Sequence, residues 1–589
     1  MSALSDFIDA SIGRRELSLL LTNCRLLNVY TGEVYPTSIG IYGEKIVIVD
    51  ENATKRRAEK VIDAKGMIAI PGFIDTHLHV ESSMVTPYRF AEAVLPHGTT
   101  TAFADPHEIA NVLGKEGVRM MVENAKGLPM KLMFFAPTCV PESKAVTAGA
   151  ELSPSDIEEM LQWEGICGLG EVMDFPAVLA GSSKMMQILE IGRKRNAVID
   201  GHSPLLSGAE LNAYITSGAE ADHENFTVET TLEKMRLGMY VKLRGPYLLD
   251  TSKFVSAIEK LPKPWNLIFC TDDVMPDNLV RWGHLDYIVR SFIKAGMDPV
   301  EAVRSVTIRP AQHMRAYDLG AIAPGKTADI LLVDDFENFR VQKVISAGKL
   351  VAESGRLVIN IEERRFNEKA LSTVKVKKVS MDDMKIDFGI RDGEVTVNAI
   401  DFTRYSRAEE SNFLDIALTK LNRARLRVKH GQPELGEVAL VFVFERHGKS
   451  SSRSFGFARN LIRRGAIAST IAHDAHNLIV VGTDIQDMVR AANLVIESQG
   501  GLSAVLDGNV LAHIKLPVAG LMSEMPLAIV AAEMRNLRAA FEKMGVLDHP
   551  YMPLPCLLTL SVIPHARITD KGIFDVDEQS FVYPFVAEA

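Results

Sequence analysis

The chain has 589 residues, 47% hydrophobic and 24% charged, with a formal net charge of −10. That length implies several domains, the acidic balance argues against nucleic acid as a partner, and no apolar run reaches the ~18 residues of a membrane span. Five scattered cysteines (Cys24, Cys139, Cys167, Cys270, Cys556) without a Cys-x-x-Cys pair fit a reducing compartment, and Asp6 and Asp9 stand where a signal peptide would be basic, so a cytoplasmic enzyme or a large binding protein is expected.

In chain order, residues 1–14 read as a short helical lead. Short strands follow at Leu17–Leu21, Cys24–Val29, Ser38–Tyr42 and Lys45–Val49, with Thr31-Gly32 and Gly43-Glu44 as turns. Strand and helix then alternate to about residue 316. The strands are Met67–His79, Thr99–Asp105, Lys131–Pro137, Cys167–Met173, Ala197–His202, Ala219–His223, Met239–Arg244 and Leu267–Asp273. Amphipathic segments lie between most of them: Thr86–Leu95, Ile109–Lys126, Ser155–Trp163, Ser183–Arg195, Gly208–Thr216, Val228–Met235 and Thr251–Leu261. Count and length predict an α/β fold with a (β/α)8 TIM-like barrel. A doubly wound open sheet is the alternative, but it would gather its polar residues at one switch point rather than at every strand end.

Further helices are expected at His284–Ala295 and Pro299–Ile308. Strand-and-turn text returns at Leu319–Asp334, Val341–Ser346 and Leu350–Ala352. Strands alone on either side of the barrel would leave open edges, so the two modules are expected to pair into one composite small β-sandwich. The division is 1–70 and 317–365 for the sandwich, 71–316 for the barrel, and 366–589 for a C-terminal α/β domain. In that last domain Val438–Phe444 and Leu478–Val481 read as strands. Thr483 and Gln486 form a capping box for a helix Ile485–Ser498, which Gly500-Gly501 ends, and Ser523 caps a second helix running to about Met544.

The chemistry begins at Pro71–Glu81, where His77 and His79 sit two apart on one strand and so share a face. Gly168-Leu169-Gly170-Glu171 ends strand four, Asp200-Gly201-His202 strand five, Ala221-Asp222-His223 strand six, and Cys270-Thr271-Asp272-Asp273 strand eight. One such histidine is unremarkable, but six donors at strand C-termini point to a metal site at the end of the barrel where such enzymes work. Six suit two divalent ions bridged by Glu171, with His77, His79 and Asp272 on one and His202 and His223 on the other. A pair ~3.5–4 Å apart would hold a bridging hydroxide, and Asp272 beside it would carry its proton to the leaving group.

This series, with its flanking β-modules, resembles the amidohydrolase superfamily over about residues 16–360. Most binuclear members bridge with a carboxylated lysine; Glu171 here speaks against the cyclic amidases among them. Pro71–Ser83, Ala104–Ile109, Gly168–Met173, Thr271–Asp273 and Ala472–Asn477 are more closely similar to the bacterial adenine deaminase family, over nearly the whole chain. The resemblance implies purine salvage by hydrolysis of adenine to hypoxanthine and ammonia at a two-metal centre of Mn or Fe, with Zn a third option. A different binuclear amidohydrolase activity, on a cyclic amide or N-acyl substrate, is the alternative. A barrel that serves only as a scaffold would typically lack metal ligands, and all six are present.

On that reading Asp272 protonates the departing ammonia and Asp273 hydrogen-bonds a ring nitrogen. Adenosine deaminases, only distantly similar, protonate the purine with a Glu three residues after the strand-five histidine; Leu205 stands there. Asp105, His107 and Glu108 at the end of strand two are therefore the candidates for that task, with helix capping as their structural alternative. His79-Val80-Glu81 satisfies half of the signature of the other zinc deaminases, but Pro555-Cys556-Leu557-Leu558 lacks the second cysteine. His473, Asp474 and His476 are expected to pack a domain interface rather than to form a second metal site or a cover over the barrel mouth. A small purine substrate, no nucleic acid, no membrane and a homodimer complete the expectations.

Overall fold

The computed structural model describes residues 3–262, 264–405 and 418–586. Eight short parallel strands carry the site. Five form one sheet, in the order Val198–Gly201, Ile166–Val172, Lys131–Ala136, Thr99–Ala104, Phe73–Leu78; three form another, Ala221–Asp222, Tyr240–Leu243, Leu267–Phe269. Two backbone hydrogen bonds join the sheets: Glu220 N donates to Ile199 O (2.9 Å), and Asp272 N to His77 O (3.1 Å) beside an isolated parallel bridge between Leu78 and Asp272. Phe73–Leu78 and Thr99–Ala104 are buried at every position, as expected where helices cover a parallel sheet.

The helices between the strands start where their sequences supply a cap. Ser153 and Asp156 form a capping box ahead of Pro154–Met160, Thr227 caps Val228–Arg236 and Asp250 caps Thr251–Ile258. The helix expected at Ile109–Lys126 is two, His107–Leu113 and Lys115–Ala125, broken at Gly114 with φ +63°. The segment expected as one helix at Pro299–Ile308 is likewise Pro299–Arg304 followed by Ile308–His313.

The chain on both sides of these strands makes one nine-stranded sheet. Ile68–Pro71 lies at its centre, parallel to Leu19–Leu27 and antiparallel to Ile330–Val333. Leu17–Leu21 and Cys24–Val29, expected as separate strands, are a single strand Leu19–Leu27 with a register shift between Leu21 and Cys24 and Asn23 at φ 54°.

A second nine-stranded sheet, with Val438–Phe444 and Leu478–Gly482 adjacent near its centre, forms the C-terminal region. Helix Ile485–Glu497 is capped by Asp484, whose side chain accepts from Asp487 N; Thr483 is not its cap. Helix Leu527–Met544 likewise follows Pro526 rather than Ser523. This helix packs on Pro276–Trp282, and one buried apolar cluster runs from Leu27 through the parallel strands to Ile573. The C-terminal region is thereby seated at the C-terminal ends of the parallel strands. Among the described residues no helix is long and apolar enough to cross a membrane.

Candidate metal centre and its lining

The donor atoms of strands one, four, five, six and eight meet in a small volume. His79 Nε2 lies 3.3 Å from both Glu171 Oε1 and Asp272 Oδ1, and His77 Nε2 lies 3.4 Å from Asp272 Oδ1 and 3.9 Å from Glu171 Oε1. On the other side of Glu171, Oε2 is 2.7 Å from His202 Nδ1 and 3.5 Å from His223 Nε2. Four ligands at ~2.1 Å around one tetrahedral ion stand about 3.4 Å apart, which is close to the spacing seen on the first side.

Second contacts settle which nitrogen faces the centre. His77 Nδ1 is 2.8 Å from Asp200 Oδ2 and His79 Nδ1 donates to Asp105 O at 2.9 Å, so each turns Nε2 inward. Among the described residues His77 Nε2 then has no hydrogen-bond partner, while His202 and His223 present Nδ1 and Nε2 respectively to Glu171 Oε2. A buried orphan imidazole nitrogen amid convergent carboxylates fits a cation, and this N/O donor set suits Mn, Fe or Zn.

The scaffold beneath is charged and dry. Asp200 and Lys242, both 0% exposed, pair at 2.7 and 2.8 Å, and Lys242 Nζ also donates to Thr76 O. Such a pair gains little net stability but holds its geometry closely, because removing one partner strands the other. Burial opposes ionisation of Asp200, yet the Lys242 ammonium and His77 hold its carboxyl below the usual range. Asp105 Oδ2 accepts Glu171 N at 2.8 Å, and a Cβ on Gly170 would come within 2.1 Å of the same oxygen. Glycine is thus required before Glu171 for Asp105 to grip that strand end. Asp105 sits under strand four and is not in the cavity lining, unlike His107 and Glu108.

Asp272 adopts φ 57°, a left-handed conformation that costs a non-glycine residue on the order of 1–3 kcal/mol and tends to mark working sites. Its Oδ1 faces His77 and His79; its Oδ2 contacts the Arg244 guanidinium and lies 2.9 Å from Tyr551 Oη. Burial opposes its charge, but Arg244 and the imidazoles hold it well below the usual carboxylate range. Burial and then the neighbouring Asp272 charge push Asp273 the other way. Asp273 accepts from Ser82 Oγ and from Tyr551 Oη at 3.0 Å. His107 Nδ1 stands 3.5 Å from Glu171 Oε1. The cavity in front of these groups is also lined by Phe226, Leu560 and Ile563, apolar walls suited to a flat ring.

Several residues that line the cavity or support it from beneath escaped the sequence reading. Arg244 and Lys242 could have been noticed as charges at alternate positions of an otherwise apolar strand. Tyr551 carries no local signal at all. His473, Asp474 and His476 stand where the C-terminal region meets the strand-two end: His473 Nδ1 is 2.9 Å from Glu108 Oε1, and His476 Nε2 contacts Glu108 Oε2.

Comparison with known proteins agrees along the whole chain. The family model described as Amidohydrolase family matches residues 68–351, and that described as Adenine deaminase C-terminal domain matches 417–580. Proteins named adenine deaminase are similar at 36% identity in Kosmotoga olearia (99% of each chain), 37% in Brucella anthropi (98% of this chain, 100% of that one) and 39% in Cereibacter sphaeroides (98% of each). A solved β-aspartyl dipeptidase of Fervidobacterium islandicum AW-1 aligns with 58% of this chain and all of its own at TM-score 0.45 and 16% identity, too remote to argue from. The chain belongs to the adenine deaminase family, within the amidohydrolases.

Proposed function

We propose that the chain hydrolyses adenine to hypoxanthine and ammonia. The observation that carries this is the meeting of His77, His79, Glu171, His202, His223 and Asp272 at one end of eight parallel strands, in a chain whose full-length relatives are named adenine deaminases. We infer that the two parallel sheets form one (β/α)8 barrel; hydrogen bonds at both of their junctions support this. The sheet shared by the flanking segments and the separate C-terminal sheet support a division at about residues 70, 316 and 365. Five free cysteines support a cytoplasmic setting.

His77, His79 and Asp272 would hold one divalent ion and His202 and His223 another, with Glu171 between them. Such ions bring the pKa of a bound water toward neutrality and so supply the nucleophile. The protein's own groups do the rest. Asp200, fixed by Lys242, and the Asp105 carbonyl orient the strand-one imidazoles, while the Asp105 carboxylate fixes Glu171. Asp272, kept ionised by Arg244, takes the water proton and passes it to the departing amine. Asp273 and His107 face the cavity from the ends of the two strands that flank strand one and contact the purine edge, and Glu108 acts through the C-terminal histidines.

Ammonia release and loss of the aminopurine absorbance, measured on a metal-loaded preparation against adenine, adenosine, cytosine and hydantoin, test the proposal. Turnover of adenine above the other three is expected; inert adenine beside an active hydantoin would sink it.

A further inference from the structure

Glu108 is engaged by the C-terminal region on both carboxylate oxygens. His476 Nδ1 receives the Ala472 N–H at 3.3 Å, so its hydrogen sits on Nε2, which donates to Glu108 Oε2. An ion on that Nε2 would need a hydrogen on Nδ1, where the Ala472 amide leaves no room. The Glu108, His473 and His476 group is therefore a hydrogen-bonded relay, although its atoms are close enough for a cation.

On the other oxygen, Glu108 Oε1 holds His473 Nδ1 at 2.9 Å. A carboxylate on Nδ1 fixes the ring and aims Nε2 away from itself. His473 is 5% exposed and lines the cavity with Glu171, Asp272 and Asp273, and its Nε2 has no hydrogen-bond partner among the described residues. A buried, unpartnered ring nitrogen beside a substrate cavity calls for a ligand atom.

We propose that His473 Nε2 donates the proton that the purine ring takes up during deamination, with Glu108 as its positioning residue. This rests on the adenine reading and names the donor within it. As the water oxygen bonds to the amine-bearing carbon, the C=N π bond breaks and its electron pair takes the Nε2 proton at the adjacent ring nitrogen. The water proton held by Asp272 passes to the amine, whose C–N bond breaks with its electron pair to release ammonia. The remaining hydroxyl proton returns to His473 and leaves the ring carbonyl, so adenine and water become hypoxanthine and ammonia.

The charged neighbours of His473 favour this role. Besides Glu108, Asp474 Oδ1 is 3.5 Å from Nδ1 and the His476 ring centre is 5.3 Å away, while Asp273 and Cys556 act on it through space. Burial disfavours an imidazolium there, but Glu108 outweighs it and holds His473 well above the usual histidine range.

The test uses the full-length, metal-loaded protein. His473→Ala is expected to lower kcat for adenine about 100-fold or more, with KM and bound metal little changed and added imidazole restoring a measurable part of the rate. No loss of kcat, or a loss that imidazole leaves untouched, would overturn the proposal. Should that variant not fold, Glu108→Gln decides. Without the carboxylate His473 releases its proton at lower pH, so the alkaline limb of the kcat profile should move to lower pH; a limb that stays in place overturns the proposal. Wild-type protein inert toward adenine would instead strike the functional reading.

Discussion

The phenol oxygen of Tyr551 lies 2.9 Å from Asp272 Oδ2, a contact between residues 279 apart in sequence. It also stands 3.0 Å from Asp273 Oδ2, so a C-terminal hydroxyl touches both carboxylates at the end of strand eight. Tyr551→Phe keeps the ring and removes one hydrogen bond to a charged group, an interaction worth about 1.5–3 kcal/mol. We expect kcat to fall roughly tenfold with bound metal unchanged; kcat within twofold of wild type would mean that the hydroxyl does not steady the proton carrier.

Glu171 presents its two oxygens to opposite sides of the centre, Oε1 toward His79 and Oε2 toward His202. Glu171→Gln keeps the shape but replaces one ligand oxygen with an NH2 group that cannot bind a cation. Elemental analysis should find less than the full metal complement, and ammonia release should drop by at least two orders of magnitude. Near-normal turnover would remove the bridge.

Lys242 neutralises Asp200 far from solvent. Lys242→Met strands that carboxylate, at a cost of about 3–5 kcal/mol in stability. It also loosens the grip on His77, which should weaken metal binding roughly 10–100-fold. A chelator titration followed by thermal melting reads both effects. Unchanged metal retention in a destabilised variant would confine Lys242 to folding.

Without metal, His77 and His202 are each raised to about 9: burial opposes the charge, but Asp200 at one ring and Glu224 and Glu171 at the other outweigh it. Ligation needs neutral imidazole. At pH 7 metal binding should therefore release protons, and affinity should climb as pH rises from 7 to 9. Calorimetry of Mn addition to the apoprotein, in buffers of different ionisation enthalpy, counts those protons. A pH-independent affinity between 7 and 9 would refute the coupling.

The eight parallel strands were legible because each is a short β-favouring run, and the six convergent side chains were legible because they stand at or next to the ends of five of those runs. Helix boundaries were less so: Gly114 reads as tolerable within a helix until its φ of +63° breaks one in two. Asp484 outcompetes Thr483 as a cap by one position, as the stronger N-cap preference of Asp over Thr allows. Asp105 carried no mark telling a proton donor from a brace; only the structure shows its carboxylate on the Glu171 amide and outside the cavity lining. Tyr551 and His473 were illegible as site residues because only the seating of a distant sheet brings them to the cavity, and no local period encodes that.

The strand Ile68–Pro71 takes its two neighbours from opposite ends of the barrel sequence, Leu19–Leu27 and Ile330–Val333. During synthesis at ~5–20 residues per second, it emerges with one flank uncovered and waits on the order of tens of seconds for the other. With Ile68, Ala69 and Ile70 apolar on both faces, its open side is meanwhile a docking edge for any passing nascent chain. Stalled chains ending near residue 300 should therefore be cut by protease within this segment, and chains extended past residue 360 should not.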